Sequence, residues 1–319
     1  MTGTTVHKTA APFNAGLTRI YAVAASGAHR IPASVWYPTG DRERVRRAGI
    51  YEISSSPGGA PVDGNGGLIL LSHGSGGSDV NHHDWAETLA RRGYVVVAPR
   101  HIGDSHGRKG PHESGAQLLE RPMQALAARD TLFGDSRFSG RVDEDKIGAM
   151  GFSTGGYTVL ALLGARPNFT RWRGFCSDHR DAAILRPFGD ATELIPPGRT
   201  DWDAAKAFGV KAAVLFAPFA MPYTEESLRA ITTPLRLYYT EYDSIAVNDW
   251  NALAVLKGVS GPCEPAITPG GHYVFIAPAA DDFADKCPEF YRDAPGVDRK
   301  AIHARIGDEL VAFFDKTLL

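Results

Sequence analysis

The stretch IGAMGFSTGGYTVLALLGA, residues 147–165, decides how this chain is read. Its first six residues are apolar or glycine, a run of buried-strand length, and the residues after Thr154 form an apolar, helix-favouring run. Between the two, Gly151-Phe152-Ser153-Thr154-Gly155 matches G-x-S-x-G, with another glycine at 156. The pattern requires a strand before it and a helix after it. A serine at such a turn takes a strained backbone conformation, and side chains two positions either side of it would collide. Glycine at 151 and 155 removes that collision and lets Ser153 project above a sheet. The helix opening there aims its free N–H groups and positive dipole end at the same point. The competing interpretation is a small-residue turn in which Ser153 only caps a helix.

Working outward, short apolar strands alternate with amphipathic helices, the signature of a mostly parallel sheet with helices on both faces, hence an α/β fold. LTRIYAVA and RIPASVWYPT read as an opening antiparallel pair. GLILLSHG, YVVVAPR, KIGAMGFS, VKAAVLFAPF and TPLRLYYTEYD read as strands. DWAETLARRG, a segment around ESGAQLLERPMQALAARDTLFG that Pro122 is expected to break, and the closing RKAIHARIGDELVAFFDKTLL read as helices. No internal repeat or long linker divides the chain, so one domain over residues 1–319 is expected. Residues 40–66, polar and glycine-rich, read as a surface insertion, and 166–209, irregular with Pro, Trp and Phe, as a cap or lid.

At 319 residues, 43% hydrophobic and 22% charged, the chain can bury a sizeable core. A net charge of −2 without a block of one sign argues against nucleic acid as partner, and no apolar run reaches the length of a membrane span. The amino-terminal residues lack the basic start and apolar core of a signal peptide, which predicts a cytoplasmic protein or else the mature form of an exported one. Of three cysteines, Cys263 and Cys287 flank one segment and can pair in an oxidising compartment.

A serine hydroxyl needs a base to act as nucleophile, and the base needs an orienting acid. Downstream of Ser153 stand three histidines. His303 lies inside the closing helix, in a structural or surface role, and His179 in the irregular insertion. His272 follows two glycines at the end of a short strand, where a catalytic imidazole belongs. The strand TPLRLYYTEYD ends in two carboxylates, Glu241 and Asp243. Asp243 is preferred because it falls beyond the apolar run, at the strand's carboxyl end, where ligands bind in open α/β sheets; Glu241 is the alternative. The glycine-rich SHGSGG after GLILL offers backbone N–H groups for an oxyanion, with Ser75, or next Gly76, as one donor and Thr154 as the other. Its spacing matches neither phosphate-binding glycine pattern. His73 is expected to hold that turn, and it, His101, Trp172 and Phe219 are candidates for lining a substrate pocket. Phe169, Trp172, Phe175 and Phe188 line an acyl pocket or form the cap's own small core. His82, His83 and Asp84, with His101, His106 and His112 nearby, lack a recognised metal-ligand spacing, so no metal and no cofactor is expected.

These residues resemble the α/β-hydrolase superfamily, and within it the dienelactone-hydrolase-like group related to platelet-activating factor acetylhydrolases and bacterial polyester hydrolases. The matching segments are VWYPTG, LLSHGSGGSDVNHHDWAETLARRGYVVVAPRHIGDS, GAMGFSTGGYTVLALLGARPNF and GVDRKAIHARIGDELVAFFDKTL. The resemblance implies the α/β-hydrolase fold and a serine esterase with Ser153, Asp243 and His272 as triad. Dienelactone hydrolases proper carry cysteine where this chain has Ser153. Platelet-activating factor acetylhydrolases carry their acid just after the strand that follows the nucleophile helix, where this chain reads VLFAPFAMPY without a carboxylate. The expected activity is hydrolysis of a small or medium-sized carboxylic ester through an acyl-enzyme, by a monomer or homodimer. An amidase or peptidase on the same residues, or a non-catalytic binding protein of this fold, are the alternatives.

Overall fold

Strands that are buried at every position need cover on both faces, and three such strands set the centre of this molecule. The computed structural model describes residues 11–23, 29–107, 116–188 and 208–319. Among them are strands β1 (Asn14–Val23), β2 (Arg30–Thr39), β3 (Arg44–Ala48), β4 (Tyr51–Pro57), β5 (Leu68–Ser72), β6 (Val95–Pro99), β7 (Ile147–Phe152), β8 (Val210–Phe216), β9 (Leu235–Thr240) and β10 (Cys263–Thr268). They form one sheet in the order β10-β9-β8-β7-β5-β6-β2-β1-β4-β3. From β6 to β10 every neighbouring pair is parallel, while β2 runs antiparallel to both β6 and β1. β5, β6 and β7 are buried along their whole length. The fold is therefore α/β with a mostly parallel central sheet.

The helices are α1 (His83–Arg91), α2 (Ala116–Phe133), α3 (Thr154–Leu162), α4 (Phe169–Asp178), α5 (Glu225–Leu228), α6 (Ala252–Gly258), α7 (Asp281–Ala284), α8 (Pro288–Tyr291) and α9 (Arg299–Leu318). The two-residue period of a strand sorts the sheet's side chains into two cores. Leu68, Leu70, Val95, Val97 and Ala149 face a layer that includes Leu126 of α2, Leu160 of α3, Trp172 of α4 and Val255 of α6. Ile69, Leu71, Val96, Met150 and Phe216 face Trp85 and Leu89 of α1 and Ile306, Leu310 and Phe314 of α9. Among the described residues no helix is long and apolar enough to cross a membrane.

α1 leaves β5 on one face while α3 leaves β7 on the other, so the chain changes faces at the carboxyl ends of these adjacent strands. That is where open parallel sheets place ligands.

Three local expectations need correction or refinement. Residues 40–66 are more than a surface insertion: β3 and β4 form a hairpin, and β4 adds to the sheet alongside β1. Tyr51 and Ile53 are buried there, and Glu43 accepts hydrogen bonds from the Ala15 amide at 2.6 Å and from Arg91 Nε at 2.8 Å. α2 runs through Pro122 unbroken, because its residues on both sides of the proline, Leu118 and Ala125 among them, are buried against the sheet. Of the expected cap, α4 buries Phe169 and Trp172 in the main core, while residues 189–207 lie outside the described residues. The three cysteines are all unpaired.

Phe314 is fully buried between α9 and the sheet. Phe314→Ala is expected to cost about 3–5 kcal/mol. In urea unfolding this appears as a lower midpoint with an unchanged slope.

Candidate active site

The turn between β7 and α3 has almost no room. A Cβ on Gly155 would lie 1.9 Å from the Ser72 carbonyl oxygen, and one on Gly151 would lie 2.2 Å from the Gly155 carbonyl oxygen. Ser153 sits at the apex with φ 54° and ψ −117°, a conformation that L-residues rarely adopt. The backbone on both sides holds it there. Its N–H donates to the Phe216 carbonyl at 2.9 Å, and its carbonyl accepts from Gly156 at 2.8 Å and from Phe219 at 2.9 Å.

Two neighbouring strand ends deliver the other groups. His272 opens a short 3-10 turn, His272–Phe275, after β10, and Asp243 follows β9. Ser153 Oγ is 3.1 Å from His272 Nε2, and His272 Nδ1 is 2.7 Å from Asp243 Oδ2. The second Asp243 oxygen accepts the amides of Ile245 at 2.9 Å and Ala246 at 2.7 Å. A carboxylate on Nδ1 fixes the proton on that nitrogen, which leaves Nε2 to accept from the serine hydroxyl. Burial alone would raise the Asp243 pKa. The hydrogen bond and charge of His272 and the two backbone amides outweigh it and hold the carboxyl below its usual range.

Glu241, the alternative acid, is exposed. β9 ends at Thr240, so strand alternation does not extend to these residues. The loop turns Asp243 inward and leaves Glu241 in solvent.

The turn after β5 stands against Ser153, and a Cβ on Gly74 would be 3.4 Å from the Ser153 Cβ. His73 holds this turn as expected: its Nδ1 is 2.7 Å from the Gly74 carbonyl, and its Nε2 accepts the His101 amide at 3.1 Å. Burial, reinforced by the nearby Arg121 charge, pushes the pKa of both His73 and His101 well down. Both rings are neutral.

The four pocket candidates, His73, His101, Trp172 and Phe219, are each 2% exposed or less. His101 is engaged by Ser72 Oγ at 2.9 Å and Gln124 Oε1 at 3.2 Å instead of facing a ligand. Trp172 and Phe219 pack edge to face at 5.0 Å within the core, because α4 docks on the helix layer of the sheet. Phe175 stacks on Trp172 and meets Trp250. Among the described residues no group of three or more His, Cys, Asp or Glu is arranged to hold a metal ion, and His112 lies outside them.

Two residues behind the site are invisible to a search for nucleophile, base and acid. Arg121, fully buried in α2, donates to Asp104 Oδ2 at 2.6 Å, to Ser72 Oγ at 3.3 Å, to Thr158 Oγ1 at 3.2 Å and to the His73 carbonyl. Asp104 Oδ1 accepts from Ser75 Oγ at 2.6 Å and from the Gly76 amide at 3.0 Å. One buried ion pair therefore fixes the whole 72–76 turn. The signal for Arg121 is a cation at helical spacing within the apolar stripe Leu118, Ala125, Ala128. For Asp104 it is position, in the loop at the carboxyl end of β6.

Compared with known proteins, the chain matches no family model and no curated protein sequence. Its chemistry must be read from the site itself. A hydroxyl bonded to an imidazole that is backed by a buried carboxylate can lose its proton as it attacks an electrophile.

Breaking the Arg121–Asp104 pair on one side strands a buried charge. Arg121→Met is expected to destabilise the protein by about 3–5 kcal/mol, with Arg121→Met/Asp104→Leu recovering part of the loss, as read from a double-mutant cycle in denaturant. For Asp243 the folded pKa is below the unfolded value of about 3.9, so its stabilisation is complete above that pH and disappears as pH falls through the folded value. The difference in unfolding free energy between wild type and Asp243→Asn is expected to shrink as pH falls from about 3.9 and to vanish once pH has passed below the folded value.

Proposed function

We propose that the protein is a serine hydrolase of the α/β-hydrolase fold that cleaves a carboxylic ester of small or medium size through an acyl-enzyme. The observation that carries this is the bond from Ser153 Oγ to His272 Nε2, 3.1 Å, at a turn whose φ of 54° lifts the hydroxyl off the sheet. The strand order and the site's place beyond the carboxyl ends of β5, β7, β9 and β10 support the fold assignment.

In the first half-reaction His272 Nε2 takes the Ser153 proton as Oγ attacks the ester carbonyl carbon. Asp243 holds the ring's tautomer and stabilises the imidazolium that forms. The carbonyl oxygen becomes an oxyanion, for which the Thr154 and Ser75 amides are the proposed donors. Thr154 is the first residue of α3, whose opening N–H groups have no intrahelical acceptor. Ser75 lies on the turn that Asp104 and Arg121 immobilise, so no reorganisation is required when charge develops. Collapse of the intermediate returns the proton from Nε2 to the departing alkoxide and leaves the acyl group on Oγ. In the second half, His272 Nε2 takes a proton from a water as that water attacks the acyl carbon, and gives it to Oγ as the acyl–Oγ bond breaks, which releases the acid and restores the Ser153 hydroxyl.

With a p-nitrophenyl ester as substrate, Ser153→Ala is expected to lower kcat by about 10⁴–10⁶-fold. A fluorophosphonate should label wild type at Ser153 and leave Ser153→Ala unmodified. Full esterase activity in Ser153→Ala would sink the proposal. Turnover of the matching p-nitroanilide faster than the ester would move the assignment to an amidase.

A further inference from the structure

Behind the Ser153–His272–Asp243 chain lies a second Asp–His pair that the proposed chemistry does not use. His303 of α9 is 4% exposed. Its Nδ1 is 2.6 Å from Asp84 Oδ2, at the start of α1, and its Nε2 is 2.8 Å from the Val274 carbonyl oxygen. A carbonyl oxygen only accepts, so Nε2 carries a proton. The Asp84 carboxyl, despite its burial, is held down to about 2 by the charge and hydrogen bond of His303, so it also accepts. Both ring nitrogens are thus engaged by protein groups, which leaves neither free to act on a substrate.

Its acceptor is what gives this pair a role at the site. Val274 lies two residues after His272 on the same 3-10 turn. Most bonds of that turn are internal, such as Val274 N–H to the Gly271 carbonyl at 3.0 Å. From outside, its backbone is tied by His303 at the Val274 carbonyl. Just beyond it, the Ala277 amide reaches the Asn81 carbonyl at 2.9 Å, and the Ile276 carbonyl is 3.4 Å from Arg299.

The same ring stacks on Trp85, with centroids 4.5 Å apart and planes 13° from parallel. Trp85 in turn stacks on Phe216 at 4.4 Å, and the Phe216 carbonyl accepts the Ser153 amide. His303 thus touches the turn that carries the base directly, and the strand end that carries the serine through one ring.

We infer that His303, paired with Asp84, is a positioning residue that holds the His272 turn through the Val274 carbonyl and so sets the distance from His272 to Ser153. This rests on the hydrolase reading of Ser153 and His272. The bond from His303 to the Val274 carbonyl acts on the backbone of the turn and never on the substrate, so its loss should lower turnover without altering substrate affinity.

Asparagine and glutamine separate the two bonds, because their amides imitate Nδ1 and Nε2 respectively. His303→Asn keeps the contact to Asp84 and loses Val274, whereas His303→Gln keeps Val274 and loses Asp84. With the full-length chain and a p-nitrophenyl ester, His303→Asn is expected to lower kcat by about 10–100-fold with KM unchanged, the scale of a misplacement near 1 Å. His303→Gln should restore most of that loss, although both variants melt at a similar, reduced temperature. Wild-type kcat in folded His303→Asn, or a fall in His303→Gln as deep as in His303→Asn, would overturn the inference. Ser153→Ala run alongside separates the two levels. If it retains turnover, the hydrolase reading fails and this inference with it. If it loses turnover while His303→Asn keeps it, only the positioning role fails.

Discussion

The close approach of three backbones, the end of β5, the β7–α3 turn and the end of β8, is the constraint on which the rest of this structure depends. The Ser72 carbonyl fills the space that any side chain at 155 would need, and the Phe216 carbonyl holds the Ser153 amide from the other side. Clamped between them, Ser153 stays in a conformation that costs on the order of 1–3 kcal/mol, a strain that persists only where the surroundings over-determine it. The consequence is geometric: one hydroxyl stands above the sheet edge at hydrogen-bonding distance from an imidazole that arrives from a strand three places away.

The groups on either side of that serine are each backed by buried charge. Arg121 and Asp104 fix the turn that precedes it in space, and His303 with Asp84 holds the turn that carries His272. Buried ion pairs are poor sources of net stability, since desolvating both partners offsets most of their attraction. Their value here is directional. Both pairs end on backbone carbonyls, that of His73 in one case and that of Val274 in the other, and hydrogen bonds to such carbonyls are oriented. The loops that carry Ser75 and His272 are thus held by side chains that contact neither the Ser153 hydroxyl nor the His272 ring.

Legibility from the sequence followed how local each cause is. The Ser153 turn was legible because its requirements, glycine at 151 and 155 between a strand and a helix, lie within a few residues. His272 was legible because paired glycines and a strand end mark a loop. The choice of Asp243 over Glu241 rested on position alone, and its physical reason appears only where β9 stops and the loop rotates one carboxylate inward. His101 and Trp172 look like pocket residues in a linear reading, since ring-bearing residues near strand ends often meet ligands. Their burial depends on α2 and α4 docking from far along the chain. Pro122 marks a break by local preference, yet burial of the flanking helix faces outweighs one missing hydrogen bond.

By itself, then, the sequence determined the α/β alternation, the strained serine turn and the order in which a hydroxyl, an acid and an imidazole follow one another. These are set by periodicity and by steric rules that act between near neighbours. Only the tertiary structure decided which carboxylate turns inward, that the 40–66 segment extends the sheet, and that Arg121 and His303 stand behind the site. Each of those depends on which distant backbone offers a partner to a buried polar group, and no local pattern encodes that.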